Sequence, residues 1–304
     1  MLLPDVAGAG TIVLSGTLDL EGNTAFIRNN NDATIGAITG SGTLEKASGS
    51  GGTLILNGDV NVGNVFFNDG GMRIVAGGNI TGGNFFLGSS VIQNNTTLDL
   101  AVSGIDFDRP IEVEDAGSSE VKKVLTSVAG TALLSGAIQL DNTDLVLVPT
   151  NGSTLTLSGN VDMDFDGEND LTIEGPGDVT LSGALSSGTG NSDINVTGSG
   201  TVTLAGDNTG ESFQIEHGSG TVYLNSANAL GTSYSDKIKI NGDGNTLRVG
   251  ATMGPAALGI QINGNYGLTL NTDAGATLTV AGAVDDGANA ADLTKVGDGT
   301  VLLN

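Results

Sequence analysis

Residues 198–206 read GSGTVTLAG, and residues 218–225 read GSGTVYLN. Each block opens on a Gly-x-Gly corner and then alternates, as in Thr201-Val202-Thr203-Leu204. A period of two marks a strand with one face buried and the other in water. The Thr positions suit the outer face, because β-branched side chains fit a pleated surface. The same block recurs outward in both directions: GAGTIVLSG at 8–16, GSGGTLILNG at 49–58, NGSTLTLSG at 151–159, GPGDVTLSG at 175–183, GATLTVAG at 275–282 and GDGTVLLN at 297–304. The anchors Thr131, Thr154, Asp178, Thr201 and Thr221 follow one another at a nearly even interval, the signature of an internal repeat.

A strand and its corners at that spacing cannot bury an apolar face alone, whereas stacked copies form a continuous core. The expected architecture is all-β, a parallel β-solenoid in which residues 1–304 form one repeat array. At ~22 residues per coil it makes roughly 13 or 14 coils, and at ~4.8 Å per stacked strand a rod on the order of 65 Å long. Asn-Gly steps at 57–58, 241–242 and 263–264 are read as corners needing positive φ. The stretch closest to helical spacing, 118–128, also reads as a degraded repeat, and strand is preferred there.

Composition narrows the function. The 304 residues hold 50 Gly, no Cys, no Trp and one His, with 34 acids against 10 bases for a formal net charge of −24. Nucleic acid is excluded as a partner, since phosphate binding needs clustered Lys and Arg. No apolar run is long enough to span a membrane as a helix. Without Cys there are no disulfides, no thiolate catalysis and no Cys-held zinc.

Residues 200–231, GTVTLAGDNTGESFQIEHGSGTVYLNSANALG, resemble the autotransporter-associated β-strand repeat. Residues 293–303, LTKVGDGTVLL, are similar to its opening, and residues 35–58 carry Leu44-Glu45-Lys46 in the Leu-Thr-Lys slot. Residues 121–136 match poorly, and clear copies cover about a third of the chain. The resemblance implies a right-handed parallel β-helix, and a passenger exported across a bacterial outer membrane to be displayed or released. The chain departs from the family plan at both ends: it opens without a secretion signal and stops within a repeat at Asn304, so a segment of a longer surface protein is expected.

Candidate sites are few. Asp162, Asp164, Asp166 and Asp170 surround Gly167, and oxygen ligands at alternate positions before a Gly suit Ca²⁺. Position twelve is Ile173, so an EF-hand is excluded. The alternative is a strand with Val161, Met163 and Phe165 inward and the acids in water. A second acidic stretch, Asp106, Asp108, Glu112, Glu114 and Asp115, reads as a solvated face, and His217 as a surface residue. No GxSxG elbow accompanies it, and Arg28, Arg73, Arg109 and Arg248 are scattered rather than gathered in a groove.

The expectation is therefore a non-enzymatic surface or secreted scaffold, an adhesin-type rod whose glycan or protein receptor the sequence does not name. Its rivals are a filament, sheath or matrix subunit stacking end to end through Gly10–Leu14 and Gly299–Leu303, and, more remotely, a carbohydrate-active β-helix enzyme. Charge repulsion along the rod favours end contacts over lateral ones.

Overall fold

The computed structural model describes residues 12–28, 30–47, 49, 51–88, 95–115, 123–127, 130–163, 169–187, 192–209, 213–231, 237–254, 258–286 and 290–304. Among them there is no helix, and every paired strand is parallel. The chain winds as a β-solenoid of about 11 turns. One side of the coil is a continuous sheet of thirteen strands, from Ile12–Leu14 to Val284–Asp285; among the described residues its first and last strands have a neighbour on one side only. The second side is a four-stranded sheet ending at Asn79–Ile80, followed by a nine-stranded sheet from Ile105–Phe107 to Asp292–Val296. The third is an eight-stranded sheet from Thr24–Ile27 to Leu185–Ser186 and a final pair, Thr277–Val280 with Thr300–Leu303.

The expected 13 or 14 coils exceed the about 11 turns observed. Coil length is uneven: Leu54 pairs with Met72, but Leu98 pairs with Leu125, a path along the chain half as long again.

The interior follows from the alternation. Leu134, Leu157, Leu181, Leu204, Leu224 and Val249 stack in register as one buried column. Beside it run Ala132, Leu155, Val179, Val202, Val222 and Leu247. The anchor column holds as well: Thr131 pairs with Thr154, Thr154 with Asp178, and Thr201 with Thr221, while the Thr201 amide donates to the Asp178 carboxylate at 2.8 Å. Residues Lys123–Ser127, within the stretch of near-helical spacing, form a strand of the continuous sheet.

The Asn-Gly corners divide into two kinds. Gly264 has φ +66°, the left-handed conformation that glycine adopts without steric cost. Gly58 and Gly242 do not need positive φ. They are glycine because a Cβ would run into the backbone of the previous coil, at Ala37 and Gly218 respectively.

Among the described residues the third side carries no strand between Leu185–Ser186 and Thr277–Val280, and segment 200–231 lies in this gap. Asn208, buried in the gap, accepts from the Leu185 amide at 2.8 Å and donates from Nδ2 to the Ala229 carbonyl at 2.6 Å. One side chain thus makes the rung-to-rung bonds that a strand would otherwise supply. The Ser226 hydroxyl donates to Asp207 at 2.8 Å and ties the neighbouring turns together.

Candidate functional site

Of the four acids read as a calcium loop, Asp164 and Asp166 lie outside the described residues. Asp162 ends the strand Val161–Asp162 on the third side, and Val161 and Met163 are buried in the expected phase. Its carboxylate accepts from the Ser186 hydroxyl at 3.3 Å. Asp170 lies on another side of the coil, just before the continuous-sheet strand Leu171–Ile173. Its carboxylate accepts from the Asp193 amide at 2.8 Å and from Asn195 at 3.3 Å, while its own amide donates to Asp144 at 2.8 Å. Burial raises the Asp170 pKa, partly countered by the Asp193 amide. Both acids are therefore used in bonding one rung to the next.

The second acidic stretch is not a uniform solvated face. Asp108 pairs with Arg109 at 2.7 Å, and Asp106 accepts from the Ser135 hydroxyl at 2.6 Å. Glu112 and Glu114 lie half-buried with Asp141 from the next rung, and one carboxylate oxygen of each falls within 4.8 Å of the others. Three hard oxygen ligands at that spacing are a set that a divalent cation accepts, with water completing its shell. Asp115 departs furthest from expectation, because its side chain is fully buried.

Two lysines occupy inward slots. Lys46 stands in a third-side column between Ile27 and Phe67. Its Nζ donates to the Asp69 carbonyl at 2.6 Å and lies 5.7 Å from the centre of the Phe67 ring. Burial lowers its pKa to about 8, with the Asp69 charge opposing. Lys123 sits between Thr96 and Leu145 in the continuous sheet, and its Nζ is 3.6 Å from Asp115 Oδ2. Burial lowers its pKa as well, opposed chiefly by the Asp115 charge. The signal was present in the sequence: in Thr43-Leu44-Glu45-Lys46, the lysine shares the phase of the buried leucine.

His217 is also buried, contrary to expectation. It ends the strand Phe213–His217, stacked between Val196 and Ile240. Neither ring nitrogen has a hydrogen-bond partner, and burial lowers its pKa to about 4, partly offset by the nearby Ser219 and Gly220 backbone. The scattered arginines serve the outer surface. Arg73 pairs with Asp99 at 2.6 Å. Arg248 makes two 3.0 Å bonds to Asp273 and covers the Tyr223 ring at 4.3 Å. Where the third side is interrupted, Asn228, Met253 and Thr279 help to line an open groove of about 460 Å³. Compared with known proteins, the chain matches no family model, no curated protein and no solved structure.

Proposed function

We propose that this chain is a rigid, non-catalytic rod displayed or released at a bacterial surface, a β-helix scaffold of the autotransporter-passenger type that presents its lateral faces to a partner. The observation that carries this reading is the unbroken thirteen-strand parallel sheet, in which each rung is hydrogen-bonded to the next along the long axis. At ~4.8 Å per rung such a sheet spans about 60 Å. A net charge of −24 and the absence of Cys fit an exposed, soluble surface. The repeat-like segment 200–231 lends further support, since Asn208 closes the interrupted third side there. The test is antibody labelling of intact and lysed cells of the source organism. Labelling of intact cells supports surface display. Signal confined to lysed cells, with none in the medium, overturns it.

A second reading, end-to-end assembly, is favoured by the last coil. Leu293, Val296, Leu302 and Leu303 are exposed there, Leu303 by 58%. An apolar row beside an unpaired strand edge is the surface on which another coil, from this chain or a copy, would stack. Electron microscopy of the purified chain separates the two: single rods of uniform length, or filaments whose growth the changes Val301→Lys and Leu303→Lys stop.

A further inference from the structure

Lys123 and Asp115 form the one fully buried ion pair among the described residues. The aspartate side of the pair is poorly supported. Apart from the lysine, neither Asp115 oxygen has a hydrogen-bond donor. A buried ion pair is tolerable when further hydrogen bonds satisfy its remaining lone pairs, and destabilising when they do not. Packing does not require the lysine either: the same inward column holds Leu145, Leu171 and Ile194 in later coils. Its stem packs against Gly88, where an added Cβ would stand 2.7 Å from Lys123 Cε and closer still to the Glu114 carbonyl.

We propose that Lys123 and Asp115 are joined in the mature protein by an intramolecular amide bond between Nζ and Cγ. The bond links the end of the third-side strand Ile111–Glu114 to the first residue of the next continuous-sheet strand, Lys123–Ser127. The chemistry needs no added reagent. A proton passes from the ammonium to the carboxylate, giving an amine and a carboxylic acid. The nitrogen lone pair attacks Cγ and the N–C bond forms. The bond from Cγ to the hydroxyl oxygen breaks, and that hydroxyl leaves with one amine proton as water. Nothing is oxidised or reduced. Nζ already stands 3.6 Å from an oxygen bonded to the carbon it attacks, so the two groups are held side by side. With both side chains shielded from solvent, the water that would reverse the step is excluded.

The test is the intact mass of the full chain under denaturing conditions, followed by proteolysis and tandem mass spectrometry. The expected mass lies below the sequence mass by one water, with a branched peptide linking Asp115 to Lys123. The Lys123→Arg variant keeps the charge, lacks the nucleophilic amine and is expected at full mass. A wild-type chain at full sequence mass overturns the proposal, and decides it alone if the variant fails to fold. Water loss without the branched peptide, or persisting in Lys123→Arg, overturns it equally, because Asp-Gly steps such as Asp243-Gly244 also lose water by cyclising.

Discussion

Gly183 rests on the backbone of Gly159, one coil back, so closely that a methyl group at Gly183 would collide with the Gly159 carbonyl. Gly159 meets Gly136 in the same way, and Gly206 meets Gly183. Glycine at this corner is a condition of stacking rather than of turning. Gly183→Ala is expected to destabilise by at least the ~1–3 kcal/mol of an overpacked site. Gly16→Ala is the control, since a methyl there meets nothing within 4 Å. Urea denaturation of both variants decides the matter, and equal midpoints would contradict the stacking role.

Leu204 lies in the buried column between Leu181 and Leu224, while Thr203, its neighbour in sequence, faces out. Leu204→Asp buries a charge without a partner and is expected to cost more than about 4 kcal/mol or abolish folding. Thr203→Asp is expected to change stability by less than about 1 kcal/mol. Thermal melts that leave the two indistinguishable would reverse the inward assignment.

His217 makes the rod acid-sensitive. Its pKa falls from 6.5 to about 4 on burial, so between those values the unfolded chain holds a proton that the folded chain does not. Stability is unaffected above pH 6.5 and falls as pH drops toward 4, by about 1.4 kcal/mol per unit. His217→Leu matches its column neighbours Val196 and Ile240 and removes this dependence. Melting curves of wild type and variant should diverge on going from pH 7 to pH 4.5. Parallel pH profiles would show that the imidazole is hydrated in solution.

Lys46 produces a slope of the same sign in alkali. With its pKa lowered from 10.5 to about 8, the folded state carries the cost of a buried ammonium throughout the range below 8. As pH rises through 8 toward 10.5 the folded chain releases this proton before the unfolded chain does, and stability increases by an amount on the order of 3 kcal/mol. Lys46→Met, placed between Ile27 and Phe67, should lose that increase and equal or exceed the wild type at pH 7. A wild-type profile no steeper than that of the variant above pH 8 would count against the burial of Lys46.

The repeat was legible because TVTL and TLTL admit one solution: the period assigns every side chain to a face, and Thr on one phase with Leu on the other names which face is wet. The same rule, applied by phase rather than by residue type, places Lys46 and Lys123 inside, although lysine is ordinarily a surface residue. His217 precedes Gly218, a residue type that favours an open turn, yet the strand runs through His217 itself. Coil length could not be read from the motif alone, since the additional residues lie between strands and obey no period. The acidic trio was invisible for another reason. Asp141 meets Glu114 through register across one of the long coils, a relation that neither acidic run displays by itself.

The rung-to-rung register described for the continuous sheet also bears on how the chain acquires its shape. Every strand there finds its partner a single coil away along the chain, and none waits for the distant end of the molecule. Such a chain has low contact order for an all-β protein, and each completed coil is a template for the next. Folding can therefore propagate from one end like a zipper, with only one growing edge at risk of mispairing at any moment, and a lesion in one coil halts the zipper there while the coils already closed stand intact.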